Sequence, residues 1–158
     1  MQSFTAKYLI KMTGFTLIEL IVVMLLVAIL AFTAIPRFAS RGTFDARGFF
    51  DQSSNMLRYA QKTAIAQRRA VFVNISGSAI CLSYVADPAC TDTANGVPEP
   101  TKNAWFSKDF PSDVSATSVS FSFTALGQPN PNQQVNISFS APGLNQNVVV
   151  ERETGYVH

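Results

Sequence analysis

The 158-residue chain has very few of the residues that build metal and nucleophilic sites: two cysteines and one histidine, His158. Metal sites with soft ligands need clusters of such residues, so we expect no metal site. The sequence also lacks a G-x-S-x-G nucleophile motif and a phosphate-binding G-x-x-x-x-G-K motif. Its closely spaced carboxylates, Glu151 and Glu153, fit an exposed strand edge better than an acid/base pair. We therefore predict that the chain is not an enzyme and uses no cofactor.

Charged residues are scarce as well, at 14% of the chain, whereas hydrophobic residues make up 47%. Most of the hydrophobic excess lies in the first 35 residues. The remainder has the composition of an ordinary globular segment, and the 13 phenylalanines of the chain provide bulky side chains for a small core. Length and composition together predict one domain of ordinary size behind an apolar N-terminal segment.

The N-terminal segment contains an apolar run from Phe15 to Ala34. As a helix, this run would reach roughly 30 Å, the thickness of a bilayer hydrocarbon core. No small-x-small cleavage site follows before Pro36, so we expect the run to stay on the mature protein. We assign residues 15–35 to a single membrane-spanning helix. The lysines before it balance the arginines after it, so charge alone does not set its orientation.

Glu19 interrupts the start of this run. A carboxylate at the centre of a spanning helix costs about 2.5–3.5 kcal/mol, so it usually has a partner. Cleavage between Gly14 and Phe15 would create an α-amino group four residues before Glu19, one helical turn away. That amine could pair with Glu19 of the same chain or of a neighbouring chain. The alternative is that Glu19 lies at the membrane interface and contributes nothing.

The string G-F-T-L-I-E, Gly14 to Glu19, followed by an apolar helix and Pro36, resembles the class III signal of type IV prepilins and type II secretion pseudopilins. The resemblance implies that residues 1–14 are a leader removed after Gly14 by a prepilin peptidase on the cytoplasmic side. It further implies N-methylation of Phe15, and docking of Glu19 against the Phe15 amine of an adjacent subunit.

The same resemblance implies a location and a set of partners. The chain would sit in the bacterial inner membrane with its globular domain in the periplasm, and would then enter a cell-surface pilus or a periplasmic pseudopilus. Its partners would be membrane lipid before assembly, the inner-membrane assembly platform and other pilin subunits of the fibre.

We predict that residues 36–69 form the second, amphipathic half of the same long helix. Pro36 should kink the helix, and Gly42 and Gly48 should melt it locally. Beyond them, apolar residues recur with a helical period and should face a core. These residues are Phe49, Phe50, Met56, Leu57, Ala60 and Ala64.

Residues 70–158 predict a β-rich globular domain. Ala70–Ile75 and Ala79–Val85 form a predicted hairpin, and three further strands are centred on Phe121, Ile137 and Val149. Between the hairpin and these three strands, we predict that residues 87–113 form a long surface loop, which Trp105 and Phe106 attach to the core. The fold class is therefore α+β, with a long N-terminal helix packed on an antiparallel sheet, as in type IV pilins.

The order of these elements, with the strings A-I-A-Q-R-R-A-V and F-S-F-T-A-L-G, resembles minor pilins and pseudopilins of the GspH/FimT type. The cysteine pair and the length also resemble minor pilins of the mannose-sensitive haemagglutinin pilus. The resemblance implies a minor type IV pilin that takes part in pilus assembly and adhesion. The alternatives are a GspH-like pseudopilin of a type II secretion system and a FimT-like minor pilin for DNA uptake.

DNA binding in FimT-like pilins depends on a C-terminal Gly-Arg motif, and the matching place here has Gly155 followed by Tyr156. From Val85 onward the chain has three basic and seven acidic residues, whereas Arg37 to Arg69 contains seven basic and two acidic residues. Phosphate contacts need a basic surface on the exposed domain. We therefore expect no nucleic-acid partner.

The two cysteines, Cys81 and Cys90, lie at the end of the second predicted strand and in the loop after it. Thiols outside an inner membrane are oxidised, so we expect a disulfide. Asp87 and Pro88 form a turn that could bring the two cysteines together. Two buried free cysteines are the alternative.

Overall fold

The computed structural model describes residues 14–39 and 41–158. The predicted leader, residues 1–14, lies outside this range except for Gly14. The chain divides into two compact units, one ending at Ala39 and the other comprising Ser40–His158, which we call the globular unit.

The first unit contains helix α1, Leu17–Ala39, which has 23 residues and continues through Pro36. Its large apolar side chains from Leu17 to Phe32 are exposed on all sides of the helix. Helix α1 therefore buries no side against the protein, whereas a helix that packs on a core buries one face.

The second unit begins with helix α2, Arg41–Gln67. Gly42 and Gly48 lie within α2, so the prediction that the helix melts locally at these glycines is wrong. Each glycine costs about 1 kcal/mol relative to alanine, but Ala46, Phe49 and Phe50 beside them are buried, and tertiary packing outweighs propensity.

The predicted apolar face of α2 is confirmed. Its residues are all buried, Phe49 to 6% exposure and the others completely; they are Phe49, Phe50, Met56, Leu57, Ala60 and Ala64. The helix ends at Gln67, and the next residue, Arg68, has a φ of 51°, in the left-handed region. This conformation ends the helical path just before the first strand.

The larger sheet has five antiparallel strands in the order β3-β2-β1-β5-β6. Its strands are β1 Val71–Ile75, β2 Ala79–Ser83, β3 Ser107–Asp109, β5 Val119–Phe123 and β6 Pro129–Asn130. Strands β1 and β2 form the predicted hairpin, with Ile75 opposite Ile80. Strand β1 also pairs with β5 along its whole length, from Val71 opposite Phe123 to Ile75 opposite Val119.

A second, three-stranded sheet has the order β4-β7-β8. Its strands are β4 Ser115–Ala116, β7 Val135–Ala141 and β8 Leu144–Val150. The described residues thus form eight strands in two sheets, where the sequence predicted five strands in one. Strand β7 alternates strictly between buried and exposed residues, so this sheet has one core face and one solvated face.

The core lies between α2 and the two sheets. Phe49 packs edge-on against Phe110 at 5.0 Å between ring centroids, and Phe50 lies 5.4 Å from Phe139 of β7. Val71 and Val73 of β1 are fully buried in the same core. The α+β class predicted from the sequence is confirmed, because one helix covers the apolar faces of both antiparallel sheets.

The opposite side of the larger sheet carries a buried polar network. Asn74 of β1 is completely buried. Its amide nitrogen donates to the Ser83 hydroxyl at 3.0 Å, and its amide oxygen accepts from the Ser120 hydroxyl at 2.6 Å. The network ties β1 to both of its neighbours, and its hydrogen bonds offset the desolvation of the buried amide.

Candidate functional site

The candidate docking residues lie at the start of α1. Gly14, Phe15 and Thr16 precede the helix, and Phe15 is 77% exposed. The backbone N–H of Glu19 donates to the Thr16 hydroxyl at 3.3 Å, and the N–H of Leu20 donates to the Thr16 carbonyl at 3.2 Å. Thr16 is therefore the N-cap of α1, a role that the sequence reasoning missed although T-x-x-E signals it.

Glu19 is exposed and lies in the first turn of α1. Its negative charge there interacts favourably with the positive end of the helix dipole, typically by about 0.3–1 kcal/mol. Phe15 lies before the first helical residue, so the structure does not place Phe15 and Glu19 on one helical face. Glu19 thus favours the start of the helix, independently of the predicted docking role.

The apolar surface of α1 extends without a charged residue from Leu20 to Phe32. Across residues 14–39 and 41–158, no helix is both long and apolar enough to cross a membrane. The single span predicted for residues 15–35 stays a prediction from the sequence.

The predicted disulfide between Cys81 and Cys90 is present. Cys81 lies in β2, and Cys90 has a φ of 55° and donates its N–H to the Asp87 carbonyl at 3.0 Å. The Asp87 side chain, almost fully buried, accepts the N–H groups of Thr91 at 2.7 Å and Asp92 at 2.8 Å. The predicted turn at Asp87 is thus held by hydrogen bonds as well as by the covalent bond.

The next part of the predicted loop is also well ordered by contacts. Asp92 caps a short 3-10 helix, η1 Thr93–Asn95, and the hydrogen bond from the Asn95 side chain lowers the pKa of Asp92. Burial opposes this shift, and the backbone N–H groups of Asn95 and Ala94 add to it. The prediction that residues 87–113 form a loop is wrong in part, because η1 and β3 lie within this range.

Trp105 and Phe106 fix this segment to the core, as predicted. The Trp105 indole nitrogen donates to the Leu82 carbonyl at 2.9 Å, and Phe106 is buried against Tyr59 at 5.5 Å between centroids. Gly96 lies under the Trp105 ring, where a Cβ would overlap it. This arrangement supports the assignment of Trp105 as a core anchor, since part of its ring is covered by the protein itself.

The C-terminal residues form contacts that the sequence did not reveal. His158 lies 3.0 Å from a Glu151 carboxylate oxygen, and its ring stacks on Tyr156 at 5.5 Å. The backbone of His158 pairs in both directions with Val149 of β8. Glu151 also accepts from Gln134 at 3.3 Å.

Basic residues of α2 and of the segment just after it make contacts inside the globular unit. Arg58 donates to the Val157 carbonyl at 3.3 Å, and Arg69 stacks on the Tyr84 ring at 3.7 Å. Near the C-terminus, Arg152 pairs with Glu153 at 2.6 Å. These three arginines are therefore engaged in intramolecular contacts. Within the part of the chain that the structure describes, no group of three or more histidine, cysteine or acidic residues could hold a metal ion.

Comparisons with known proteins agree with this architecture. The prokaryotic N-terminal methylation motif matches residues 11–35, and the type II transport protein GspH family matches residues 50–154. No curated protein sequence matches the chain significantly. Two crystal forms of the type IV minor pilin FimU from Pseudomonas aeruginosa are similar in structure. One is 16% identical, with 73% of this chain and 90% of that chain covered and a TM-score of 0.52. The other is 15% identical, with 76% and 88% covered and a TM-score of 0.49.

The likeness to the first FimU form shows a shared fold: an N-terminal helix on an antiparallel sheet domain. The GspH family model covers more than half of the chain, and the methylation motif covers the start of α1. The chain therefore belongs to the type II transport protein GspH family and carries the N-terminal methylation motif of prepilins.

Proposed function

We propose that this chain is a minor type IV pilin, a structural subunit that is processed, methylated and then assembled into a fibre through α1. Membership of the family implies a membrane-anchored subunit whose globular unit lies outside the cytoplasm, which assembles with other pilin subunits after processing by prepilin peptidase. The observation that carries the proposal is the methylation motif on a helix whose apolar surface is exposed on all sides. Such a surface needs lipid or other subunits to cover it.

We propose cleavage after Gly14 and N-methylation of Phe15. Both residues lie ahead of α1 and outside any regular element, and both are exposed. A peptidase needs an accessible, non-helical backbone at the bond that it cuts, and this segment offers one. The new amine at Phe15 would then be free to accept the methyl group.

Glu19, in this proposal, docks against the Phe15 amine of an adjacent subunit. Phe15 lies outside α1, which favours a partner on a neighbouring chain over pairing within one helical turn. An amine that meets the carboxylate would offset part of the cost of placing Glu19 among apolar side chains.

Before assembly, residues 15–35 would hold the subunit in the bacterial inner membrane as a single span, with the globular unit in the periplasm. There the subunit would contact lipid and the inner-membrane assembly platform. Alkaline extraction of membranes tests this arrangement: the mature chain should remain in the pellet, and its release into the supernatant would contradict the anchor.

The docking role can be separated from the capping role by two variants. Glu19→Ala should be cleaved after Gly14 and methylated but should be absent from sheared fibres. Thr16→Ala, the matched control, removes the N-cap hydrogen bond but leaves the carboxylate, and it should enter fibres. N-terminal mass spectrometry reports processing, and immunoblots of sheared fibres report incorporation. Equal loss from fibres in both variants would assign Glu19 to the helix start instead of docking.

A pseudopilin of a type II secretion system is the second candidate, and the description of the matching family favours it. Immunogold labelling of purified fibres separates the two. Label along cell-surface pili supports the minor pilin. Label confined to the periplasm, with loss of protein secretion on deletion, supports the pseudopilin.

A DNA-uptake role is the third candidate, and we do not favour it. The C-terminal arginine of that motif is replaced by Tyr156, and Arg152 nearby is paired with Glu153. A filter-binding assay with the detergent-solubilised chain should detect no retention of DNA at physiological salt.

A further inference from the structure

Asn95 and Gly96 form the one Asn-Gly pair of the sequence. Asn-Gly is the dipeptide most prone to spontaneous deamidation, because glycine has no side chain to hinder the attack of its nitrogen on the asparagine amide. Asn95 is the last residue of η1, and its side chain is exposed. The pair therefore combines a labile sequence with access to water.

Packing determines both residues of this pair. Gly96 lies under the Trp105 ring, which a Cβ at this position would overlap. The Asn95 side-chain nitrogen donates to an Asp92 carboxylate oxygen at 2.7 Å, and the other Asp92 oxygen caps η1. The fold thus uses glycine for its size and asparagine for its amide, and it keeps the labile pair for these reasons.

Deamidation of this pair would begin with attack of the Gly96 nitrogen on Cγ of Asn95. A carbon–nitrogen bond forms and closes a succinimide ring, the bond from Cγ to Nδ2 breaks, and ammonia leaves with the proton of the Gly96 nitrogen. Water then opens the ring at either carbonyl and gives aspartate or isoaspartate. Water is the only co-reactant, and nothing is oxidised or reduced.

The native contacts of η1 block this ring closure. The Gly96 N–H donates to the Thr93 carbonyl at 3.3 Å, and the Asn95 carbonyl accepts from the Tyr84 N–H at 2.8 Å. Residues of a 3-10 helix have a ψ of about −20 to −30°. Ring closure needs a different ψ at Asn95, one that turns the next nitrogen toward the side chain, so η1 has to open before the reaction.

The disulfide holds the segment that leads into η1. Cys90 lies three residues before Thr93 and is bonded to Cys81 of β2. After η1, the Val97 N–H donates to the Leu82 carbonyl at 2.9 Å, so β2 holds the chain on both sides of the short helix. Breaking the disulfide removes the covalent attachment and raises the fraction of time for which η1 is open.

We propose that Asn95 is a site of spontaneous deamidation that the Cys81–Cys90 disulfide protects, and that it reacts in a subunit that lacks this bond. The new carboxylate would stand where the amide donated to Asp92, so two like charges would meet at the cap of η1. The loss of a donor and the gain of a charge both oppose the closed form of η1.

The isoaspartate product has a second effect on the same segment. Its main chain contains an extra carbon atom between Asn95 and Gly96, at the point where Gly96 fits under the Trp105 ring. The modified segment therefore does not dock again when the disulfide reforms. A subunit that has spent time without its disulfide keeps a permanent chemical change.

Peptide mapping by mass spectrometry tests the site in the full-length chain, incubated in detergent at mildly alkaline pH with and without reductant. An isoaspartyl methyltransferase with a labelled methyl donor measures the isoaspartate formed. A synthetic peptide of residues 91–100 gives the unprotected rate. Deamidation at Asn95 should be at least about tenfold faster in the reduced chain than in the oxidised chain. A Cys81→Ala/Cys90→Ala variant should react at the faster rate with or without reductant. Equal rates in the oxidised and reduced chains, or an oxidised chain as fast as the peptide, would overturn the proposal.

Asp92→Ala provides a test that leaves the disulfide in place. It removes the cap of η1 and should raise the rate at Asn95 roughly two- to tenfold. Asp109→Ala, the matched control, removes an exposed carboxylate of β3 and should leave the rate unchanged. No acceleration in Asp92→Ala, or equal acceleration in the control, would refute the protection by η1.

Reoxidation tests the lasting effect of the modification. After a long incubation with reductant and removal of the reductant, the native chain should not regain its initial Trp105 fluorescence. An Asn95→Gln chain, which cannot form the five-membered ring, should regain its own initial signal. Equal recovery of the two chains would contradict the failure to dock. None of these readouts uses fibres, so this inference can fail while the minor pilin proposal stands.

Discussion

Breaking the Cys81–Cys90 disulfide should lower the midpoint of thermal unfolding of the globular unit by about 10 °C. The bond joins residues nine positions apart. Closing a loop of this length removes conformational entropy from the unfolded chain equivalent to about 2.5 kcal/mol at 25 °C. The shift of the unfolding midpoint is this free energy divided by the unfolding entropy, which scales with chain length. For the Ser40–His158 unit the shift is about 10 °C.

Trp105 makes the measurement specific, because it is the one tryptophan of the sequence and donates to the Leu82 carbonyl next to Cys81. Its fluorescence can be followed on heating with and without reductant, in detergent micelles. A Cys81→Ala/Cys90→Ala double variant is the control and should not respond to reductant. A shift below about 3 °C on reduction would refute the loop-closure reasoning, and would mean that the hydrogen bonds to Asp87 alone hold the segment.

Three further predictions concern the globular unit. Gly155→Ala should cost at least about 2 kcal/mol of unfolding free energy in chemical denaturation, since φ is 64° and a Cβ would overlap a backbone carbonyl. Gly143→Ala, with a φ of 74° and open space around it, should cost only about 1 kcal/mol, and equal costs would contradict the overlap. In an NMR titration the pKa of Asp92 should lie below its ordinary value of 3.8. The stability that the ionised Asp92 gives to the cap of η1 is then fully present above pH 3.8, and it is lost as the pH falls through the lowered pKa of the folded state. Asn95→Ala should raise that pKa, and an unchanged value would contradict the assigned cause. Phe139→Ala should cost about 3–5 kcal/mol, measured by denaturant unfolding, because the ring is almost fully buried and in contact with Phe50; a cost under 1 kcal/mol would contradict the assigned core.

The burial of α2 could be predicted from sequence because its pattern is strong. Apolar residues at helical spacing, such as Phe49, Met56 and Ala60, have one way to leave water together, and all three are buried. The hairpin of β1 and β2 and the alternation in β7 were likewise predictable, because a period of two specifies which face is buried.

The division into two sheets could not be predicted in this way. Strands β3, β4 and β6 have only two or three residues each, and their sequences, Ser107–Asp109, Ser115–Ala116 and Pro129–Asn130, are mostly polar. They are strands because longer neighbours offer unpaired backbone groups to them, and that pairing is a tertiary property. Only the part of β8 around Val149 could be predicted, for a related reason: the first half of the strand, Leu144–Asn147, has no buried side chain.

The candidate site was predicted unevenly. Gly14, Phe15 and Glu19 were chosen for a motif that precedes an apolar helix, and their roles stay predictions. The N-cap at Thr16 could have been found from T-x-x-E, whereas the contact of His158 with Glu151 depends on the return of the chain to β8 and has no local signal.

The buried amide of Asn74 decides how this protein can be produced. Asn74-Ile75-Ser76 and Asn136-Ile137-Ser138 both have the acceptor pattern for N-linked sugars. Asn136 is exposed on β7 and would tolerate a glycan, but Asn74 is fully enclosed and its side chain is bonded to two strands. A sugar attached there during synthesis in a eukaryotic secretory pathway would prevent the larger sheet from closing, so a bacterial host is the suitable source.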